Sequence, residues 1–513
     1  MQGFDASVFL RSLVWLKPEL FLALLGFVLL GLSAALPEGK RRYVGLVALI
    51  GLAIAAVVVS SYAPGFPLGG PKIAPGTAQG GFPDGAGHPG FLADGFAIVL
   101  KLVFLLGAAL CVLMAVRFLD VEKAQRGEFY AMVVFAVLGM SILASGNDFV
   151  TLYLGLETMA LAVYTLVGFL RASRRSTEAA LKYFLLGAFA SGILLYGMSL
   201  VYGATGSYNL EGIAAAIASG TAGPRPLLHV GAVLVLVGMA FKIAAVPFHM
   251  WAPDAYEGAP TPVTGFISTA AKAAGFAMLL RIFFRGFWGL AADWTLLLAV
   301  LSAASMTFGN VVAVLQDNVK RMLAYSSIGH AGYMLLGLIA VGSSGGDPLT
   351  QRYGMTAVVL YLLVYTFANM GAFGTIVLLR RGSVPGDRVE DFRGLAGTYP
   401  VAAAAMTVFL LSLAGIPSTA GFIGKWWLFG AAIKADQAWL AVVAVLNSAI
   451  SLYYYARIVA AMYMTAPEET RPEPAPAGLR AALAISLVFT VWIGIYPQPF
   501  IRFAQYALWP IGR

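Results

Sequence analysis

The sequence predicts an all-α polytopic membrane protein with about fourteen transmembrane helices and two inverted five-helix repeats, spans 4–8 and 9–13. Of its 513 residues, 60% are hydrophobic and only 11% are charged, whereas soluble domains carry about 25% charged residues. Apolar runs of about 20 residues, the length that crosses a hydrocarbon core about 30 Å thick, recur along the chain. Two of these runs are broken by proline and carry a lysine, which indicates paired half-channels.

The predicted spans follow the apolar runs in order. The first is interpreted as a retained helix and not as a cleaved signal peptide, because the basic residues 40–42 and further spans follow it. The spans lie at roughly 19–36, 42–61, 92–116, 128–145, 148–170, 178–203, 228–250, 260–284, 293–314, 322–342, 353–380, 401–430, 437–464 and 479–500.

The distribution of basic residues predicts the orientation of these spans. Of the 33 Lys and Arg, 18 fall in the loops on one side, 10 fall on the other, and five lie within spans. Cytoplasmic loops are enriched in Lys and Arg, so the richer side is assigned to the cytoplasm. Both termini are therefore expected on the outer side. The net charge of +9 is read as a topology signal and not as a nucleic-acid surface.

Four regions are predicted along the chain. Residues 1–127 hold the first three helices, with a Gly/Pro-rich outward loop at 62–95 that is interpreted as a spacer without a core of its own. Residues 128–285 form the first repeat and residues 286–464 the second. Residues 465–513 form a polar connector and a final helix.

Four charged residues of the first repeat lie within apolar sequence: Glu157, Lys182, Lys242 and Lys272. A charge at the middle of a bilayer costs about 2.5–3.5 kcal/mol and is usually retained for function. Glu157 is interpreted as part of a proton path, with a structural carboxylate as the alternative. Lys182 is expected to tune Glu157 or to lie between it and Lys242, with snorkelling to the inner surface as the alternative. Lys242 and Lys272 flank the break at Pro247, which favours a water-lined path.

The second repeat follows the same pattern. Span 12 is broken around Gly415, Pro417 and Gly421, and Lys425 follows the break. His330 is expected to relay protons between the two halves, with a helix-packing histidine as an equal alternative. Lys101 in span 3 is expected to have a structural or snorkelled role.

The sequence does not support a disulfide, an iron–sulfur cluster or a standard metal site. Cys111 is the only cysteine, so no disulfide, Cys-ligated metal or iron–sulfur cluster can form within the chain. A metal site at His249, Asp254, Tyr256 and Glu257 does not match a standard ligand spacing, and a hydrogen-bonded loop is favoured. His88 is expected to be a solvated loop residue.

Over roughly residues 100–465 the chain resembles the proton-pumping antiporter-like subunits of respiratory complex I. The resemblance rests on the motifs LYLGLE, EAALKYFLLGAFASGILLYG, FKIAAVPFHMWAPDAYEGAPTPVT, NVKRMLAYSSIGHAGYMLLGL and GIPSTAGFIGKW.

The resemblance implies specific roles. Glu157 and Lys242 are the coupled pair of the first half-channel, Lys182 and Lys272 are connecting groups, and Lys425 is the outlet, reached through His330. No cofactor is expected in this chain, since NADH, FMN, iron–sulfur clusters and quinone belong to partner subunits. The implied partners are K-type and M-type membrane-arm subunits, the lateral helix of an L-type subunit and the lipids of a bacterial inner membrane, with no nucleic acid.

Two alternatives remain open at this point. The chain could serve a stand-alone multisubunit cation/proton antiporter or a membrane-bound hydrogenase of the same fold. It could also be a structural spacer in a membrane arm, in which case the buried charges would be inert.

Overall fold

A computed structural model describes residues 6–67, 71–380, 386–466 and 475–509, and in these ranges the chain is almost entirely helical. Thirteen of the helices described are long and apolar enough to cross a membrane. The predicted span 401–430 is present as two shorter helices with a break between them. The all-α membrane class is confirmed, while the inverted relationship of the two repeats stays a prediction.

The N-terminal region contains a short helix, three long helices and one β-hairpin. Pro18 lies near the start of the second helix, where a missing backbone N–H costs nothing. The elements are α1 (Ala6–Ser12), α2 (Lys17–Ala35), α3 (Arg42–Ser60), β1 (Ala78–Pro83), β2 (Pro89–Asp94) and α4 (Gly95–Val121).

The hairpin corrects the interpretation of residues 62–95 as a spacer. Strands β1 and β2 pair in antiparallel register from Ala78 opposite Asp94 to Pro83 opposite Pro89. Phe91 and Leu92 are buried against the bundle, as is Ile73 before the hairpin. This Gly/Pro-rich segment therefore contains an ordered hairpin that packs on the helices and shares their core. His88 at its turn lies 3.2 Å from Asp84.

The first predicted repeat begins with α5, whose bounds coincide with the predicted span at 128–145. Its seventh span is interrupted, because α9 ends at Lys242 and the chain resumes as α10 after the turn that contains Pro247. The elements are α5 (Glu128–Ser145), α6 (Phe149–Val167), α7 (Arg174–Thr205), α8 (Leu210–Ala218), α9 (Arg225–Lys242), α10 (Trp251–Gly258), α11 (Thr261–Phe266) and α12 (Lys272–Arg281).

Helices α11 and α12 belong to one span, which contains two π-helical turns. The turn Ile267–Ala271 joins the two helices, and the turn Ile282–Gly286 ends the span. Lys272 follows the first π-turn directly. Single π-turns inside α-helices occur frequently at functional sites, so this irregularity marks the position of the lysine.

The second predicted repeat contains α14 and α15, which are almost completely buried, as is the span formed by α11 and α12. Its elements are α13 (Ala291–Val314), α14 (Val319–Gly342), α15 (Pro348–Leu379), α16 (Leu395–Thr398), α17 (Pro400–Ala414), α18 (Ala420–Lys434) and α19 (Ala438–Met464). Helices α20 (Ala477–Ile495) and α21 (Gln498–Tyr506) follow. The outer faces of the peripheral helices expose large apolar side chains such as Phe189 and Leu296, as lipid-facing surfaces do.

Candidate functional site

Four titratable side chains are buried in the middle of the helical bundle. The exposed fractions are 7% for Lys242, 3% for Lys272, 2% for His330 and 3% for Lys425. They lie on α9, α12, α14 and α18, so they extend from the first broken span to the second. All four were predicted as site residues from isolated charges in apolar sequence.

Lys242 is the last residue of α9, and its ammonium group contacts Tyr164 of α6. Lys242 Nζ lies 3.4 Å from the Tyr164 hydroxyl and 5.8 Å from the centre of that ring. Gly187 of α7 makes room for the hydroxyl, since a Cβ on this glycine would lie 1.9 Å from it. Tyr164 therefore holds the lysine beside the helix break.

Glu157 lies on the same helix as Tyr164, seven residues earlier. Seven residues correspond to almost two turns, so both side chains lie on one face, about 10 Å apart along the axis. The charge of Glu157 acts on Lys242, but no ion pair joins them among the described residues, and Glu157 Oε1 is buried without a hydrogen-bond partner. The expected pair is thus separated in this structure.

Lys182 contacts neither Glu157 nor Lys242 among the described residues, and its exposure agrees with the alternative that it snorkels to the surface. Its side chain is 48% exposed, and Nζ lies 2.9 Å from Glu178 and 3.0 Å from Asp254 of α10. The partner Asp254 is 72 residues away in sequence, so the helix pattern around Lys182 could not reveal it.

The carboxylate of Asp254 joins Lys182 to the second repeat. Arg321 of α14 donates to Asp254 at 2.7 Å and to Glu257 at 3.1 Å. Asp254 and Glu257, together with Lys182, border an open cavity of about 140 Å³ that Arg175 and Glu178 also line. We call Lys182, Asp254, Glu257 and Arg321 the inner charge cluster. It fastens α10, the short helix after the first break, to α7 and α14.

Lys272 points toward α14. Its ammonium group donates to the backbone oxygen and to the hydroxyl of Ser327. The same hydroxyl lies 3.2 Å from the hydroxyl of Tyr256 in α10. Lys272 therefore links the π-turn of the eighth span to the centre of the second repeat.

His330 lies one turn beyond Ser327 on α14, and both of its ring nitrogens meet tyrosine hydroxyls. Nδ1 lies 2.7 Å from Tyr361 of α15, and Nε2 lies 3.3 Å from Tyr455 of α19. The charges of Lys425 and Lys272 both act on the imidazole. His330 is therefore within electrostatic range of both lysines, and its role as a relay stays a prediction.

Lys425 is held by the break in the twelfth span. Helix α17 ends where Gly415 adopts a left-handed conformation with φ of 88°. Lys425 Nζ donates to the freed oxygen of Ala414 at 2.8 Å and to Ser448 of α19 at 2.7 Å. The last carbonyl groups of a helix lack partners and form the negative end of its dipole, so the break itself provides the ligand for this cation.

Further buried charged groups were not predicted as site residues from the sequence. Lys320 is 3% exposed and donates to the backbone oxygens of Glu257 and Ala259. Arg281 is completely buried and forms two hydrogen bonds with Asp94, at 2.6 and 2.7 Å. Lys320 and Arg281 each lie near the end of an apolar run, where the sequence pattern does not distinguish a loop residue from a buried helix end.

The buried carboxylate of Glu19 is the partner of the outlier Lys101. Lys101 Nζ lies 2.7 Å from Glu19 of α2, and both side chains are 5% exposed. This burial contradicts the snorkelled alternative, and the structural role of Lys101 stays a prediction.

The residues considered as a metal site do not converge. Asp254 and Glu257 face Arg321, Tyr256 faces Ser327, and the ring of His249 packs against Phe308. Within the described residues no group of three or more His, Cys, Asp or Glu side chains is arranged to hold a metal ion.

A protein family described as "NADH:quinone oxidoreductase/Mrp antiporter, TM" matches residues 146–451, which include every predicted site residue. The chain is 46% identical over 497 residues to NADH-quinone oxidoreductase subunit N 1 of Koribacter versatilis, covering 96% of this chain and 94% of the relative. The chain belongs to the NADH-quinone oxidoreductase subunit N family.

Solved structures agree with the fold of this family. A chain of respiratory complex I from Thermus thermophilus is 35% identical with a TM-score of 0.77, covering 95% of this chain and all of that one. A chain of the Mrp complex of a Dietzia species is 26% identical with a TM-score of 0.81, covering 97% of each chain.

Two details of the sequence had already favoured the subunit N family over the related M and L types. The segment YEGAPTPVT resembles the N type, whereas M and L subunits usually carry an HxEAP-type version. Lys425 also fits, because M subunits usually have a glutamate at this position. The relatives confirm the N type.

Proposed function

We propose that this protein is a proton-translocating, antiporter-like subunit in the membrane arm of a respiratory NADH-quinone oxidoreductase. The observation that carries the proposal is the series of buried groups Lys242, Lys272, His330 and Lys425, which spans two broken helices. Buried ionisable groups in membrane helices are costly and usually mark ion or proton paths.

Separation of Glu157 from Lys242 is the proposed switch. While the carboxylate is close, its charge holds the proton on the lysine. When Lys242 turns to the neutral hydroxyl of Tyr164, that stabilisation is lost and the proton is released toward Lys272. His330 then passes it to Lys425, from which it leaves on the outer side. Lys182 assists indirectly, because the inner charge cluster fixes α10 beside the break.

The energies involved are compatible with this switch. Moving one charge against about 150 mV costs about 3.5 kcal/mol at roughly 2.3 kcal/mol per 100 mV. Two unit charges about 4 Å apart interact by about 4 kcal/mol at an effective dielectric constant near 20. Making or breaking one Glu–Lys pair therefore involves an energy of the same order as the cost of moving one proton.

The proposal extends to location and partners. We place the chain in a bacterial inner membrane with both termini outside, because the Lys and Arg distribution favours that orientation. Its proposed neighbours are K-type and M-type subunits and an L-type lateral helix. NADH, FMN, iron–sulfur clusters and quinone are assigned to other subunits of the complex, and no cofactor is assigned to this chain.

The test uses lysine variants in the assembled complex. Protons translocated per NADH oxidised are measured in inverted membrane vesicles. Lys242→Ala and Lys425→Ala are expected to abolish translocation through this subunit, whereas Lys434→Ala, on the exposed part of the same helix as Lys425, is expected to leave it intact. If Lys242→Ala and Lys425→Ala both pump and oxidise NADH like the native protein, the proposal is wrong.

A subunit of a cation/proton antiporter is the second candidate, supported by the likeness to the Mrp complex chain. Purification of the native assembly distinguishes the two candidates. Subunits that oxidise NADH should copurify in the first case, whereas sodium-driven proton exchange without NADH is expected in the second.

A further inference from the structure

The surroundings of His330 contain two tyrosines that no proposed step has used so far. Tyr361 comes from α15 and Tyr455 from α19, and each places its hydroxyl at one ring nitrogen of the histidine, at 2.7 and 3.3 Å. Both tyrosines are nearly fully buried. A packing histidine needs no more than one fixed partner, whereas this one is bonded at both nitrogens.

The Tyr455 side of the histidine leads to Lys272. The hydroxyl of Tyr455 is hydrogen-bonded to Ser326. The next residue, Ser327, accepts from Lys272 through both its backbone oxygen and its hydroxyl. The two ends of this path therefore lie on adjacent residues of α14, Ser326 bonded to Tyr455 and Ser327 bonded to Lys272. Among the described residues no hydrogen bond joins the two serines, and Lys272 does not contact the imidazole directly.

The Tyr361 side leads toward Lys425. Gly424, the residue before Lys425, lies against the Tyr361 ring, and a Cβ there would be 2.5 Å from ring atom Cδ2. The absence of a side chain at Gly424 lets the ring lie flat against α18. Tyr361 thus fills the space between His330 and the helix that carries the outlet lysine.

We propose that Tyr361 and Tyr455 are relay residues that, together with His330, pass protons between Lys272 and Lys425; this rests on the proposed function. A neutral imidazole has one donor and one acceptor nitrogen, and a hydroxyl can both donate and accept. The row Ser326, Tyr455, His330, Tyr361 can therefore be polarised in a single direction.

One proton passes along this row without leaving a charge behind. Tyr455 transfers its hydroxyl proton to Nε2 while its oxygen takes the proton of the Ser326 hydroxyl, which is replaced from the Lys272 side. Nδ1 gives its proton to the Tyr361 oxygen, and Tyr361 releases its original hydroxyl proton toward Lys425. Each hydroxyl ends with one proton, His330 ends neutral in its other tautomer, and neither tyrosine stays ionised.

Phenylalanine variants test the proposal in the assembled complex. Tyr361→Phe and Tyr455→Phe keep the rings but remove the hydroxyls, and each is expected to slow NADH-driven proton translocation about tenfold or more, because positioned proton transfer typically contributes at least about 10²-fold. Tyr353→Phe is the matched control. It lies two turns from Tyr361 on α15 and stacks on Trp427, and it should pump like the native protein.

The double variant separates a relay from a structural role. If both hydroxyls belong to one path, losing either one already interrupts it. The double variant Tyr361→Phe/Tyr455→Phe should therefore translocate protons no more slowly than either single variant, with normal amounts of complex in the membrane. Independent packing defects would add, and would lower the amount of complex instead. Ser326→Ala removes one oxygen from the same row and should give the same slow translocation even if a tyrosine variant assembles poorly.

The outcome distinguishes this proposal from the proposed function. Native pumping in Tyr361→Phe, Tyr455→Phe and Ser326→Ala, together with loss in Lys242→Ala, would overturn the relay and leave the proposed function standing. Native pumping in all four variants would overturn both.

Discussion

Lys242 lies 3.4 Å from the hydroxyl of Tyr164, and no ion pair connects it with Glu157 among the described residues. The lysine thus has two possible partners on one face of α6, a neutral one beside it and a charged one almost two turns away. The neutral partner stabilises the separated state of the proposed switch.

Removal of the Tyr164 hydroxyl should bias the switch toward the paired state. A hydrogen bond to a charged group contributes about 1.5–3 kcal/mol, so Tyr164→Phe should shift the ratio of paired to separated states about tenfold or more. Coupled NADH oxidation should slow, and an uncoupler should not restore the rate. Tyr183→Phe serves as control, because Tyr183 also contacts Tyr164 and stacks on Trp251. Equal rates in both variants would contradict the role of the hydroxyl.

A side chain at Gly415 should disturb Lys425. Gly415 has φ of 88°, and a Cβ there would lie 2.8 Å from Cδ of Lys425. Gly415→Ala should cost about 1–2 kcal/mol for the left-handed backbone and should also displace the lysine from the Ala414 oxygen. Gly345→Ala is the control, because Gly345 also has a positive φ but a Cβ there would meet no neighbouring atom. This variant should show only the cost of the left-handed backbone. Proton translocation should therefore be lost in the first variant and kept in the second.

The inner charge cluster should depend more on Asp254 than on Lys182. Asp254 contacts both Lys182 and Arg321, whereas Lys182 is about half exposed. Exposed ion pairs usually contribute about 0–1 kcal/mol, so Lys182→Ala should hardly change the thermal stability of the complex. Asp254→Asn should loosen α10 from α14 and slow pumping more strongly. A larger effect of Lys182→Ala on both measurements would contradict this order.

The buried pair Asp94–Arg281 should be a major contributor to stability. Arg281 also donates to the backbone oxygen of Ala144 at 2.7 and 3.0 Å, so it joins the hairpin to α5 and α12. Removing one partner of a buried pair costs about 3–5 kcal/mol. Asp94→Asn should therefore lower the amount of folded subunit, as measured by limited proteolysis in membranes. Asp293→Asn, which breaks an exposed contact with His229, should have no effect.

The sequence was sufficient for the spans and for the buried titratable residues of the candidate site, because a charge in an apolar run is visible without a structure. Lys242, Lys272, His330 and Lys425 were all found in this way. The partners of these residues were not, since contacts such as Lys182 with Asp254 depend on helix packing over long sequence separations. The burial of charged residues near span ends, such as Arg281, was not predicted either, because hydropathy does not distinguish a loop residue from a buried residue at a helix end.

The tyrosines illustrate a second limit. Tyr164, Tyr361 and Tyr455 lie in apolar runs where aromatic side chains are expected for packing alone. Only the positions of their hydroxyls distinguish them from other buried tyrosines. The hairpin was missed for a related reason, since its Gly and Pro residues are typical of flexible loops as well as of tight turns.

The π-turn before Lys272 holds one residue more than a regular α-helical turn, and its wider winding takes up that residue without re-orienting the helix after it. Lys272 and Arg281 follow on the regular helix α12, where they contact Ser327 and Asp94 respectively. Inserting one residue between Lys272 and Arg281 would rotate one side chain relative to the other by about 100°. Only one of the two contacts could then be kept, so the spacing of these two residues ties the position of the lysine to the anchoring of the span.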